Sequence, residues 1–215
     1  THVVFDSELT IAAPESITIY CGIDALSHGL EGCLADIKSS EEDILKSREC
    51  VKLVFENLPR LISTPEDIEA RQKMLLAAHY GGNAINKQLA GYVHAFAHSI
   101  GALYHIPHGK AIALCLIPIV SFHKNICRDK LAGLALYCGL ARERDDQDTA
   151  ADSFLGALEE LLKSCGCERG CNLIEEKDYQ KLTDMINADS TNYSPPKTLS
   201  NKEIARLLDE IRKGR

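Results

Sequence analysis

The chain has 215 residues, 45% of them hydrophobic and 26% charged, which is enough for one core or two small ones without disulfides. Its formal net charge of −7 argues against a nucleic-acid partner, because such a partner requires a basic face. The longest apolar run, residues 111–120, is too short to span a bilayer, and no basic-then-apolar leader opens the chain, so we expect a cytoplasmic protein with no membrane partner.

The first half of the chain contains one strand pattern and several helix starts. Residues 2–6 predict a short strand, and no later segment has a clear strand pattern. Ser39 and Glu42 form a capping-box pattern that predicts the start of a helix. Thr64 and Pro65 predict the start of the next helix, as an N-cap residue followed by a proline in the first helical position.

The second half is predicted to be helical apart from its loops. Apolar residues at helical spacing between 154 and 162 predict an amphipathic helix. Residues 187–199, which include two consecutive prolines, are predicted to form a loop, and Ser200 with Glu203 predicts the start of the last helix. We expect about eight to ten helices in total, that is, an all-α helical bundle domain with one short N-terminal strand.

Nine cysteines are present, an odd number, so at least one is unpaired. No C-x-x-C pair occurs, which argues against a zinc ribbon or a thioredoxin-like redox motif. Cys165, Cys167 and Cys171 lie close together and could bind a second metal, but no fourth ligand lies nearby. We therefore expect this segment to be a glycine-rich turn between two helices of a reduced protein.

Histidines are concentrated between Gly91 and Gly109, among apolar and small residues. Neutral imidazole is a preferred ligand of zinc and of ferrous iron. A buried imidazole without a polar partner is costly, so a cluster of imidazoles indicates a group that satisfies them. Four of the eight histidines of the chain fall within fifteen positions, namely His94, His98, His105 and His108.

An earlier pair, Asp24 and His28, adds a carboxylate and an imidazole spaced i, i+4. On a helix two such side chains lie on one face, about 5–6 Å apart at their Cβ atoms, which allows them to bind one ion. The H-E-x-x-H and E-x-x-H signatures of metalloproteases and di-iron bundles are absent. The two segments therefore predict a mononuclear metal site. Spacing alone leaves its ligands open, because His94 and His98 are also an i, i+4 pair.

These two segments carry a resemblance to a known family. GIDALSHGLEG, residues 22–32, and GYVHAFAHSIGALYHIPHGKAIALCLIP, residues 91–118, closely resemble the two metal-binding signatures of the iron-containing (group III) alcohol dehydrogenases. Members of that family join an N-terminal nucleotide-binding domain to a C-terminal all-helical domain with an Asp-His-His-His metal site. The resemblance implies that this chain is the C-terminal half of an NAD(P)-dependent alcohol dehydrogenase.

The resemblance also implies roles for individual residues. It gives Asp24, His28, His94 and His108 as the metal ligands, and it moves His98 to the catalytic cleft, beside the nicotinamide and the substrate. The metal would act as a Lewis acid on the substrate oxygen, and His98 would be the catalytic residue that relays the proton to solvent. We expect iron(II), and zinc(II) is compatible, because one carboxylate and three imidazoles suit both ions.

The nucleotide-binding half of a family member has no counterpart in this sequence. No unit of a strand, a glycine-rich loop and a helix is found. We expect residues 1–14 to be the last strand of that domain and the crossover from it, and residues 15–215 to be the metal-binding domain. NAD or NADP would bind to the missing half. The chain alone is therefore expected to be inactive, whereas its full-length parent would convert small alcohols or aldehydes and form a homo-oligomer.

Two other functions stay open at this point. A 3-dehydroquinate synthase-like lyase uses a related helical metal site, usually with glutamate in place of Asp24, and Lys110 gives the HGKA segment a superficial likeness to its motif. A helical metal-binding fragment without catalytic activity is the second. The tail also departs from the family, because residues 194–197 read Ser-Pro-Pro-Lys where relatives often have an Asn-Pro-Arg-like element. This difference leaves the substrate specificity open.

Overall fold

The computed structural model describes residues 2–214, and within them the fold is helical. A 3-10 turn at Ser7–Thr10 precedes the first helix, and another at Glu176–Asp178 precedes the eighth. The all-α prediction is confirmed, with nine α-helices in the described part of the chain: α1 (Glu15–Leu34), α2 (Glu41–Ser63), α3 (Ile68–Gln88), α4 (Tyr92–Tyr104), α5 (His108–His123), α6 (Arg128–Tyr137), α7 (Gln147–Ser164), α8 (Tyr179–Ser190) and α9 (Asn201–Lys213).

The short N-terminal strand is the one element of the predicted fold that is wrong. Residues 2–6 have no regular secondary structure, and the 3-10 turn follows them directly. A strand needs a neighbour with which to exchange backbone hydrogen bonds, and the residues that the structure describes contain no second strand. The side chains of Val3 and Val4 are accordingly exposed.

The predicted start of the last helix is confirmed. Ser200 accepts a hydrogen bond from the backbone N–H of Glu203, and the Glu203 carboxylate in turn accepts one from the backbone N–H of Ser200. The preceding loop begins later than predicted, because α8 continues to Ser190. Residues 187–190, which the sequence placed in the loop, are therefore helical. This places the side chain of Asp189 on a rigid element.

The two other predicted helix starts are shifted. Helix α2 is capped by Ser40 rather than Ser39, since the Ser40 hydroxyl accepts from the backbone N–H of Asp43. Both serines have an acidic residue three positions later, so the sequence pattern fits either register. Helix α3 is capped by Asp67, whereas Thr64 is the C-cap of α2. Aspartate is among the preferred N-cap residues, so the sequence offered Asp67 as well as Thr64 for the start of this helix. The Thr64–Pro65 pattern favoured Thr64, but the structure shows that Asp67 is the cap.

Helix α1 is central to the packing, since it contacts α2, α3 and α5. Its side chains Ile23, Leu26 and Leu30 are completely buried. Gly29 allows α2 to approach closely, because a Cβ atom there would lie 2.9 Å from the carbonyl oxygen of Ser47. Helix α4 packs against α5 and α8. The packing thus brings the middle of α1 to the N-terminal ends of α4 and α5.

All nine cysteines are free, and Cys165, Cys167 and Cys171 lie in the turn region after α7, as predicted. Within residues 2–214 no single helix is both long and apolar enough to cross a membrane. Helices α5 and α6 taken together reach that length and composition, but they are bent by 120° relative to each other.

Candidate metal centre

Three helices supply the predicted ligands, and the three imidazoles surround one carboxylate oxygen of Asp24. Asp24 and His28 belong to α1, His94 to the first turn of α4, and His108 is the first residue of α5. Asp24 Oδ1 is 3.0 Å from His108 Nε2 and 3.6 Å from the Nε2 atoms of both His94 and His28. Residues up to 84 positions apart in the sequence are therefore brought together by the fold.

Three of these residues form the tightest group. Potential ligand atoms of Asp24, His94 and His108 all lie within 4.8 Å of one another, a spacing at which one ion can contact all three. His28 lies directly beside this group, with its ring stacked on that of His94 at a centroid distance of 4.7 Å. Among the described residues, Asp24, His94 and His108 are the only group of three or more side chains placed so that they could bind one metal ion. The three clustered cysteines therefore do not form a second metal site.

A fifth residue, Glu31, was not predicted from the sequence. Its Oε2 atom is 2.5 Å from His94 Nδ1, and its Oε1 atom accepts a hydrogen bond of 2.8 Å from the backbone N–H of Val93. The side chains of Glu31 and His94 are only 6% and 5% exposed. Glu31 is seven positions after Asp24, two turns along the same face of α1. That spacing was the sequence signal that could have identified it.

The carboxylate of Glu31 determines which nitrogen of His94 carries the proton. A carboxylate can only accept, so Nδ1–H of His94 donates to it and Nε2 keeps its lone pair in the neutral ring. That Nε2 atom is buried and has no hydrogen-bond partner among residues 2–214. Buried polar atoms are rarely left unpaired. A histidine held on one nitrogen by a carboxylate, with the other nitrogen free, is the usual arrangement of a metal ligand. The residues present therefore fit a metal ion.

Two glycines allow the N-terminal ends of α4 and α5 to lie close to α1. A Cβ atom at Gly91, the N-cap residue of α4, would lie 2.7 Å from Glu31 Oε1. A Cβ atom at Gly109, next to His108, would lie 2.6 Å from both the carbonyl oxygen and the Cβ atom of Tyr20 on α1. A side chain at Gly91 would displace the carboxylate of Glu31, and a side chain at Gly109 would push α5 away from α1.

The charges of the site favour a cation. Burial opposes ionisation of Asp24, but the neighbouring imidazoles of His108 and His94 outweigh burial and hold the pKa of its carboxyl well below its usual range. Burial likewise opposes the charged form of His94, but the carboxylates of Glu31 and Asp24 prevail and raise its pKa, so a metal ion that binds Nε2 takes the place of a proton there. Burial lowers the pKa of His28, which favours the neutral form that binds metals. The carboxylates of Asp24 and Glu31 together can neutralise the charge of a divalent ion.

His98 lies one turn beyond His94 and faces a different partner. Its Nδ1 atom is 2.9 Å from Asp189 Oδ2 on α8. Its ring stacks on that of His108 at a centroid distance of 5.2 Å, and its side chain is 44% exposed. The structure therefore brings His98 to the edge of the group but outside the three clustered donors. His105, the fourth histidine of the segment, ends α4 in a left-handed conformation with φ of 55°.

Comparison with known proteins identifies relatives along nearly the whole chain. The sequence profile of the "Fe-containing alcohol dehydrogenase family, C-terminal" matches residues 18–212. The NADPH-dependent butanol dehydrogenase of Clostridium saccharobutylicum is 30% identical over 98% of this chain and 55% of its own length. The NAD-dependent methanol dehydrogenase of Bacillus methanolicus is 29% identical over 97% of this chain and 55% of its own length. The chain thus spans about half the length of these curated relatives.

Solved structures agree with this assignment. A 1,3-propanediol oxidoreductase superposes with a TM-score of 0.90 at 26% identity, over 96% of this chain and 54% of that one. An alcohol dehydrogenase from Oenococcus oeni gives a TM-score of 0.89 at 24% identity over the same shares of the two chains, which supports the fold alone. The nine-helix arrangement is therefore the fold of one half of these larger proteins.

Proposed function

The chain belongs to the iron-containing alcohol dehydrogenase family, whose C-terminal domain it represents, and on this premise we propose that it is the metal-binding half of an NAD(P)-linked alcohol dehydrogenase. The observation that carries the proposal is the free, buried Nε2 atom of His94, held beside Asp24 and His108 by the carboxylate of Glu31. The matching relatives are alcohol dehydrogenases, which favours this function over that of a dehydroquinate synthase-like lyase.

Four side chains are proposed to hold one divalent ion: Asp24, His28, His94 and His108. Iron(II) is the proposed ion, with zinc(II) as the alternative, since this donor set suits both. When bound, such an ion supplies Lewis-acid polarisation of an alcohol or aldehyde oxygen. Glu31 keeps His94 in the tautomer that can bind it.

His98 is proposed as the catalytic residue that receives the proton of the alcohol. Its exposure allows an imidazole at this position to exchange protons with solvent. NAD or NADP would bind to a nucleotide-binding domain outside the helical domain of residues 15–215, with residues 1–14 as the connection to it. The exposed side chains of Val3, Val4 and Leu9 suit a segment that another domain covers.

Activity assays on two proteins test the function. A full-length protein that carries this domain together with a nucleotide-binding domain should oxidise a short primary alcohol with NAD or NADP, followed as formation of the reduced cofactor. A chelator should abolish the turnover, and iron(II) or zinc(II) should restore it. The 215-residue chain alone should give none, because it offers no loop for the cofactor phosphates. Turnover by the chain alone, or full activity after complete removal of metal, would contradict the proposal.

The role of His98 has its own test in the full-length protein. His98→Gln should leave the metal content nearly unchanged and lower kcat by about 100-fold or more, the range expected for a lost proton-transfer group. Metal content is measured by elemental analysis of the same preparations. If His98→Gln loses the metal while His108→Ala keeps it, the roles of the two histidines are exchanged.

A further inference from the structure

His98 is part of a hydrogen-bonded cluster that reaches away from the metal ligands. Its Nδ1 atom is 2.9 Å from Asp189 Oδ2, in the last turn of α8. The hydroxyl oxygen of Tyr193, in the loop after α8, is 3.2 Å from each carboxylate oxygen of Asp189 and 3.3 Å from His98 Nδ1. We call these three residues the His98 cluster. The two partners of His98 come from a region 91 to 95 positions away in the sequence.

When the His98 ring is neutral, only one placement of the protons satisfies the His98 cluster. The ionised carboxylate of Asp189 can only accept, so the Nδ1–H of His98 donates to it. Tyr193 then cannot donate to Nδ1, and its hydroxyl donates to Asp189 as well. Burial, reinforced by the carboxylate of Asp189, raises the pKa of Tyr193, so the hydroxyl keeps its proton. The neutral imidazole of His98 is therefore left with its lone pair on Nε2.

The free nitrogen lies on the side of the ring away from Asp189. The two nitrogens of an imidazole point in widely separated directions, and among residues 2–214 only Nδ1 of His98 makes hydrogen bonds. The ring is stacked on that of His108, with an interplanar angle of 28°. Nε2 of His98 is thus an available proton acceptor next to the proposed metal ligands.

We propose that Asp189, oriented by Tyr193, is a positioning residue that fixes His98 in its Nδ1–H tautomer and so makes Nε2 the proton acceptor. The proposal rests on the function proposed above for His98. In alcohol oxidation the hydride passes to the oxidised nicotinamide, and the hydroxyl proton passes to Nε2. Asp189 stabilises the resulting imidazolium through Nδ1–H, and Nε2 then releases the proton to solvent. Neither Asp189 nor Tyr193 is consumed.

The tautomer can be observed directly on the 215-residue chain. Nitrogen-15 NMR of histidine-labelled, metal-free protein distinguishes a protonated Nδ1 from a protonated Nε2, and a His98→Gln spectrum assigns the His98 signals. The wild-type chain should show Nδ1–H at His98. Asp189→Ala should shift His98 to the Nε2–H form that predominates in free histidine. Tyr193→Phe keeps the carboxylate and should retain Nδ1–H. A wild-type Nε2–H form, or an unchanged tautomer in Asp189→Ala, would overturn the proposal.

Two further measurements separate positioning from a general structural role. Zinc affinity should be the same in Asp189→Ala as in the wild type, and circular dichroism checks that the variant folds. Asp189→Ser, whose hydroxyl is too short to reach Nδ1, replaces the alanine variant if that fails to fold. In the full-length enzyme, Asp189→Ala should lower kcat by about 10-fold or more with KM nearly unchanged, a smaller loss than that of His98→Gln. An unaltered kcat would also overturn the proposal.

The tautomer measurement does not depend on catalysis, so the two proposals can fail separately. If the full-length wild type shows no alcohol oxidation while Asp189→Ala still changes the tautomer, the proposed function is wrong and the positioning of His98 stands. If the wild type is active and Asp189 affects neither the tautomer nor kcat, the positioning role is wrong and the function stands.

Discussion

His94→Ala is expected to abolish tight binding of a divalent metal by this chain. The Nε2 atom of His94 is the most buried of the clustered nitrogen donors, and its removal also leaves the carboxylate of Glu31 buried without that partner. Affinity for zinc(II), measured by competition with a chromophoric chelator, should fall by more than about 100-fold, the upper range for loss of a ligand's supporting partner. His79→Ala, at an exposed histidine on α3, is the matched control and should bind metal like the wild type.

Glu31→Gln should give an intermediate result in the same assay. The glutamine carbonyl can accept from Val93 or from His94, but not from both, since the other atom of the amide is a donor. Its NH₂ group would favour the His94 tautomer with a protonated Nε2, which cannot bind metal. We expect a loss of about 10- to 100-fold, as is usual for partners that orient a metal ligand.

The same series has a readout in thermal stability. A metal at 100 times its Kd stabilises the folded state by about 2.7 kcal/mol, which for a domain of this size corresponds to roughly 5–10 °C in Tm. Wild type and His79→Ala should gain this increment on addition of zinc(II), and His94→Ala should not. Equal metal content in the wild type and in His94→Ala would show that the assigned ligand set is wrong.

Gly109→Ala is expected to damage both the fold and the metal site. The new Cβ atom would lie 2.6 Å from the carbonyl oxygen and from Cβ of Tyr20, and neither atom can move without displacing α1. The N-terminus of α5 must therefore shift, and with it His108, whose Nε2 is 3.0 Å from Asp24. The free energy of unfolding should fall by about 1–3 kcal/mol, the usual cost of overpacking, and zinc affinity should fall with it.

Gly156→Ala is the matched control, since Gly156 lies inside α7 and no atom of another helix or loop lies within 4 Å of the position of its Cβ. There the exchange should raise the free energy of unfolding by up to about 1 kcal/mol through helix propensity alone, with no effect on zinc affinity. Denaturant unfolding measures both variants. If Gly109→Ala is as stable as Gly156→Ala, the contact between α5 and α1 is not as close as the structure indicates.

Local patterns in the sequence predicted much of the helical architecture. The capping box of Ser200 and Glu203 correctly predicted the start of α9, and the apolar periodicity correctly predicted α7. Both patterns are contained within a few neighbouring residues. Where two patterns overlap, as at Ser39 and Ser40, spacing could not choose between registers. Residues 2–6 read as a strand because their composition suits one, but pairing depends on a neighbour that the described residues do not include.

The site was predictable as a set of residue types but not as a set of contacts. The partnership of His94 with Glu31 joins residues 63 positions apart, and that of His98 with Asp189 joins residues 91 apart. No local pattern encodes such pairs, because they depend on how α1, α4 and α8 pack together. The choice between His94 and His98 as metal ligand was open for the same reason. What distinguishes them is the buried free nitrogen of one and the exposed ring of the other.

The position of His94 and His108 at helix N-termini affects the charge that the site presents. Each helix carries the equivalent of roughly half a positive charge at its N-terminus, so the first turns of α4 and α5, whose histidines both lie near Asp24, together contribute about one positive charge to the surroundings of the site. Against the carboxylates of Asp24 and Glu31 this leaves about one net negative charge, which attracts a divalent cation. With such a cation in place the local charge would become positive. An environment of that sign stabilises negative charge on an incoming oxygen and disfavours a second cation.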